Sequence, residues 1–176
     1  MIIGLSGYAR AGKNTVADIL KGNDVSYQLR AFADPMREAI KRLNPYIAIS
    51  DVASLRIQDA LDYGDWDALK VAYPEVRRLL QVFGTEVGRS MFGENFWVEQ
   101  AFKGVGFNDN VIFTDVRFPN EAQAIVDYGG VVWRISRPGI NAVNHHPSEN
   151  ALDGWKFHKI VHNDGSLEDL LERVKM

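Results

Sequence analysis

The chain opens on "MIIGL" (1–5), a short apolar run leading into a glycine-containing polar stretch, which predicts a buried strand. From Lys13, the apolar positions Val16, Ala17 and Leu20 recur at helical spacing and predict a helix to about Lys21. Alternation in "VSYQLRAFA" (25–33) predicts a second strand. "DPMREAIKRL" follows as a helix, with Asp34 as N-cap and Pro35 at the first helical position. Residues 51–103 read mostly as helix, broken at Gly64, Pro74 and around Gly93. "NVIFTDV" (110–116) and "VVWRIS" (131–136) are strands, and between them "PNEAQAIVDYGG" is a helix opened by Pro119 and stopped at Gly129–Gly130. The polar stretch 137–158 reads as a loop or lid, and "KIVHND" as a last short strand. Ser166 and Asp169 form an S-x-x-D start for a helix whose apolar stripe is Leu167, Leu170, Leu171 and Val174. Strand and helix alternate at both ends around a helical middle. That order predicts an α/β fold: a parallel sheet with helices on both faces and a helical insertion.

Composition narrows the setting. A chain of 176 residues, 46% hydrophobic and 24% charged, suits one soluble domain with a sizeable core. The net charge of −3 supplies no basic field, so nucleic acid is not an expected partner. There are no cysteines, which excludes disulfides and thiolate metal sites and suits a reducing cytosol. No basic-then-apolar leader precedes Ser6, and no stretch approaches the ~20 apolar residues of a membrane span. A cytoplasmic location without membrane contact is the expectation.

Candidate chemistry begins at "GYARAGKNT" (7–15). Gly7, Gly12 and Lys13 match G-x-x-x-x-G-K-[ST], but Asn14 stands where Ser or Thr is usual and Thr15 follows one position late. Glycines let successive backbone N–H groups turn toward a phosphate, and the following helix N-terminus favours an anion. Lys13 reaches the terminal phosphates, and Arg10 adds a cation within the loop. The Asn14 oxygen either ligates Mg²⁺ or holds one of its waters, while Thr15 offers a hydroxyl to the α-phosphate. Asp115, ending an apolar strand, is placed to hold the metal or its water, and Arg117 to take a substrate phosphate. Arg78, Gln81, Thr85 and Arg89 fall at i, i+3, i+7 and i+11, one face of a helix, with Leu79, Leu80, Phe83 and Val87 opposite. Two cations, an amide and a hydroxyl suit a phosphate and a base edge. Gly84 and Gly88 either permit a close approach or mark the helix end. Asp34 and Arg37 open another helix, where Arg37 is placed to grip a second phosphate. Trp97 and Trp155 either stack on a base or fill the core, and His145 and His146 either contact phosphate or organise a turn.

In order and spacing, "LSGYARAGKNTVADIL", "FADPMREAI", "LLQVFGTEVGR" with "FWV", "DVRFPNEAQAI", "GGVVWRISRPG", "HPSE" and "HNDGSLEDL" resemble the phage-type deoxynucleoside monophosphate kinases of the P-loop nucleoside monophosphate kinase superfamily. That group itself carries S-G-x-x-x-x-G-K-[DN]-T, which Asn14–Thr15 match. The resemblance implies a parallel five-stranded P-loop kinase core (about 1–34, 105–136 and 158–176), a helical NMP-binding region (about 35–104) and a lid (about 137–157). It implies phosphoryl transfer from Mg²⁺-bound ATP to a deoxynucleoside monophosphate, for DNA precursor supply, in the host cytoplasm if the chain is phage-encoded. Lys13, Arg10, Asp115, Arg117 and the lid's Arg137 would be catalytic. Gly7, Ala9, Ala11, Gly12, Asn14, Thr15, Arg134, Asn163 and Gly165 would join Arg10 and Lys13 in binding ATP, with Asn163 and Gly165 in the segment beside the adenine. Asp34, Arg37, Arg78, Gln81, Thr85, Glu86, Arg89, Trp97, Arg117 and Glu149 would bind the acceptor, and Asn14 and Asp115 the metal. A homodimer is left open. The rival readings are another small-molecule P-loop kinase, of the dephospho-coenzyme A or phosphomevalonate type, and a nucleotide-binding regulatory protein without turnover.

Overall fold

A computed structural model describes residues 1–141 and 150–175. In chain order the elements are β1 (Ile2–Ser6), α1 (Lys13–Asn23), β2 (Gln28–Arg30), α2 (Asp34–Leu43), β3 (Tyr46–Ser50), β4 (Ala53–Arg56), α3 (Ile57–Leu61), α4 (Trp66–Ala72) and α5 (Pro74–Val82). A π-helical segment (Phe83–Arg89) then leads into α6 (Ser90–Phe92) and α7 (Phe96–Ala101). After these come β5 (Val111–Val116), α8 (Pro119–Asp127), β6 (Val131–Ser136), β7 (Lys159–His162) and a C-terminal helix (Leu167–Val174). The chain divides into two compact units, residues 1–32 with 101–176, and residues 33–100.

The first unit holds a five-stranded sheet in the order β2-β5-β1-β6-β7, every pairing parallel. Alternation along β1 explains its two coverings. Ile3 and Leu5 join Val16, Ala17 and Leu20 of α1 and Leu170 and Val174 of the C-terminal helix in one cluster. Gly4 faces the other way, where a Cβ would lie 2.4 Å from Ile125 of α8. Burying each Leu, Ile or Val contributes roughly 1.5–3 kcal/mol, so this cluster anchors the strand that carries the glycine loop. The C-terminal helix starts as its sequence requires: Asp169 N donates to Ser166 Oγ, and Ser166 N donates to Asp169 Oδ2.

Three expectations shift. The second strand is only Gln28–Arg30. Asp24 turns the chain before it by accepting the Ser26 N–H on Oδ1 and the Tyr27 N–H on its carbonyl, leaving Val25 87% exposed. Asp34 is not the cap of α2: Ala33 holds that position without a side-chain bond, and the Asp34 carboxylate accepts from Arg37 instead. The helical block expected over residues 51–103 begins only at α3, because β4 pairs with β3 as an antiparallel hairpin over residues 46–56, with Ile47 fully buried. Strands of four or five residues with one buried side give too few alternations to stand out in sequence.

The second unit packs Ile40, Ile47, Ile57, Ala60, Leu69, Val76 and Leu80 into its own core. Among the described residues, no helix is long and apolar enough to cross a membrane.

Candidate functional site

The loop after β1 is shaped by backbone conformations that few residues tolerate. Gly7 has φ +138°, and a Cβ there would lie 2.3 Å from the Ile135 carbonyl oxygen, so only glycine lets the end of β1 pass this close to β6. Gly12 has φ +103° and is the N-cap of α1. Arg10 holds φ +67° as a non-glycine residue, and its side chain is exposed. Lys13 Nζ folds back over the loop, donating to the carbonyls of Gly7 at 2.7 Å and Tyr8 at 2.9 Å. Asn14 and Thr15 stand exposed on the first turn of α1. Backbone N–H groups at such a start lack helical partners and suit phosphate oxygens.

A cleft opens beside the loop, lined by Gly7, Tyr8, Ala9, Arg117, Arg134 and Leu152. Arg134 is fixed in three ways. Its guanidinium lies 4.8 Å from the centre of the Tyr8 ring and 5.5 Å from that of Phe157, and its Nη2 donates to Asp153 Oδ1 at 3.0 Å. Tyr8 Oη also donates to Asp153, at 3.1 Å. Asp115 is half-buried at the end of β5, and its Oδ1 accepts the Phe32 N–H at 2.7 Å. The backbone N–H groups of Arg117 and Phe118 donate to the buried carboxylate of Glu121, which fixes the turn between β5 and α8. Asn163 lies beside the loop, its Nδ2 donating to the Ala11 carbonyl at 2.9 Å. Gly165 is adjacent to the cap of the C-terminal helix, and Arg137 is exposed just beyond β6.

In the second unit, the helix expected to present Arg78, Gln81, Thr85 and Arg89 on one face is not a uniform α-helix. Residues 83–89 are π-helical, with Ser90 N reaching back to Thr85 O, so a face counted at 3.6 residues per turn does not persist beyond Val82. Arg78 is 61% exposed and forms two hydrogen bonds of 2.7 Å to Glu75, which hold the Glu75 carboxyl below its ordinary pKa. Arg37 Nη1 lies 3.2 Å from Asp34, while its Nε is buried with no hydrogen-bond partner among the described residues. Gln81, Thr85 and Arg89 are half-buried, and Glu86 is exposed.

Gly84 and Gly88 permit close approaches and do not end the helix. A Cβ at Gly84 would meet Met36 Sδ at 2.8 Å, and one at Gly88 would meet Trp97 Nε1 at 2.1 Å. Trp97 itself is core: it is 6% exposed, packs on Phe83 and Phe96, and donates its indole N–H to the Gly84 carbonyl. That burial leaves it no ring face for a base, which corrects the stacking role. Glu149, His145 and His146 lie outside the described residues.

Sequence reasoning missed Tyr8, Glu75, Glu121, Asp153 and Phe157. Only Glu121 carried a local signal, being the third helical residue after the chain turns into α8.

A parallel sheet whose first strand runs through a glycine loop into a helix, with a lysine folded over that loop, defines a P-loop phosphotransferase core. A family profile described as deoxynucleotide monophosphate kinase matches residues 69–174. A relative from Acanthamoeba polyphaga mimivirus, which carries the same kinase name provisionally, is 30% identical over 189 residues, covering 99% of this chain and 94% of its own length. The deoxynucleotide monophosphate kinase of Escherichia phage RB69 is 28% identical over 65% of this chain and 52% of its own length. That of Enterobacteria phage T4 is 31% identical over 57% of this chain and 44% of its own length. The match thus spans nearly all of the mimivirus relative and about half of each phage relative. The chain belongs to the deoxynucleotide monophosphate kinase family, a family of phosphotransferases.

Proposed function

We propose that this chain transfers the γ-phosphoryl group of ATP to deoxynucleoside 5′-monophosphates, giving the diphosphates. The observation that carries this reading is the loop of residues 7–15, where two positive-φ glycines, a folded-back lysine and a helix start form a cradle for phosphate within a chain of this family. ATP with Mg²⁺ supplies the activated phosphoryl group and part of the charge neutralisation. The residues fit such a cofactor: Mg²⁺ keeps several waters and asks for one or two protein oxygens, and Asn14 and Asp115 are of that kind.

Lys13 exchanges the Gly7 and Tyr8 carbonyls for phosphate oxygens as ATP enters, and Arg10 meets the same group from the exposed turn. Arg117 and Arg134 line the cleft beside the loop and neutralise charge that spreads onto the transferred group. Asp34, Arg37, Arg78, Gln81, Thr85, Glu86 and Arg89 supply acceptor contacts from residues 33–100, and Arg137 reaches the phosphates from the lid. Arg37 Nε, desolvated and without a partner among the described residues, is suited to a phosphate oxygen. No general base is needed, because the attacking monophosphate oxygen is already an anion. What the side chains contribute is alignment and charge.

The test is a coupled assay of purified protein with MgATP and each of dAMP, dGMP, dCMP and dTMP, with dephospho-coenzyme A and phosphomevalonate as comparison acceptors. ADP release with at least one dNMP, at rates above both comparison acceptors, is expected. Turnover of neither dNMPs nor comparison acceptors, with ATP still bound, would point to a regulatory protein.

A further inference from the structure

Asn163 stands immediately after β7, two strands away from β1 in the sheet, yet its side chain reaches the phosphate loop. Its backbone is tied first: Asn163 N donates to the Ser136 carbonyl at the end of β6, at 2.7 Å. Its Nδ2 then donates to the Ala11 carbonyl at 2.9 Å. Gly12 makes room for this contact, since a Cβ there would lie 2.4 Å from Asn163 Nδ2. A trans peptide is planar, so the Ala11 carbonyl and the Gly12 N–H point in opposite directions within one plane. Holding the carbonyl on Asn163 therefore fixes where the Gly12 N–H points, at the N-cap of α1 and next to Lys13.

We propose that Asn163 is a positioning residue of the phosphate loop: it pins the Ala11–Gly12 peptide so that the Gly12 N–H faces the phosphate chain. The role is distinct from reading the base of ATP, which the position of "NDG" suggests. It makes Gly12 doubly constrained, by its positive φ and by the amide packed over it. This inference rests on the loop being a phosphate site, and the two are separable by experiment.

The experiment is calorimetric titration of wild type, Asn163→Ala and Asn163→Asp with magnesium tripolyphosphate, which has no base, and with MgATP. Loss of one pinning hydrogen bond is expected to weaken both ligands by the same factor, about tenfold for Asn163→Ala. Asn163→Asp, which turns an acceptor toward the Ala11 carbonyl, weakens both further, on the order of a hundredfold. The KM for dNMP stays unchanged. A fall in ATP affinity alone would assign Asn163 to the base and overturn the proposal, as would unchanged affinity for both ligands. Should the variants not fold, the wild-type Gly12 amide proton still decides: it must shift downfield when tripolyphosphate is added, and an unmoved resonance overturns the proposal. Wild type that binds neither ligand would instead refute the phosphate loop itself.

Discussion

Lys13 and Arg78 are both cations expected to meet phosphate, and the protein holds them in opposite ways. Lys13 sits on two backbone carbonyls of a loop whose shape is set by the close approach of Gly7 to β6 and by Asn163. Arg78 projects from α5 into solvent, held by Glu75 one helical turn away. The loop is organised largely by its backbone, while Arg78, an expected acceptor contact, is a long side chain in an exposed pair. Preorganised backbone costs little to use when ligand arrives. Exposed ion pairs contribute little to stability and exchange readily for a charged ligand.

The largest expected effect tests how firmly the helices that carry the proposed acceptor contacts are packed. Trp97→Ala should cost about 3–5 kcal/mol in denaturant unfolding, because it empties the space beneath the π-helical segment. A cost below about 1 kcal/mol would mean that Trp97 is not the core residue described. Next, Lys13→Ala should lower kcat by about 10²–10³-fold, with a smaller effect on the melting temperature, since the contacts to the Gly7 and Tyr8 carbonyls lie at the loop surface and not in the core. Gly7→Ala should cost about 2 kcal/mol or more, seen as a melting temperature lower by roughly 4–8 °C. Gly22→Ala is the control: nothing lies within 4 Å of the added carbon, and stability should hold or rise slightly.

Smaller effects sharpen the contrast. Asn14→Ala should weaken Mg²⁺-dependent turnover about tenfold and dNMP binding much less, as a metal-supporting oxygen on an exposed turn would. Equal losses in both would assign Asn14 to loop shape. Arg78→Gln should raise the dNMP KM with little change in stability at neutral pH. The Arg78 hydrogen bonds hold Glu75 below its ordinary value of 4.5. That contribution is present above the ordinary value and lost as pH falls through the lowered one, so wild type and variant should converge in acid unfolding curves.

Much of the fold was legible because its signals are local. β1, β5 and β6 are apolar runs bounded by turn residues, and the C-terminal helix carries its own capping pair. The hairpin of β3 and β4 was missed because its short strands alternate too briefly, and β2 was drawn too long because the Asp24 turn looks like ordinary strand flank. The π-helical segment defeated the one-face reading for a related reason. Its composition is that of an α-helix, and the wider turn accompanies the packing of Met36 and Trp97 against Gly84 and Gly88.

By itself, the sequence determined the parts that nine consecutive residues can specify: a glycine loop, its lysine and the helix start behind it. Only the tertiary structure decided what holds those parts in place. Asn163 meets Ala11 across 152 positions of chain, and Asp153 meets Tyr8 across 145. Such pairs leave no periodic trace, because they depend on which strand ends and connecting loops the fold brings together and not on spacing along the chain.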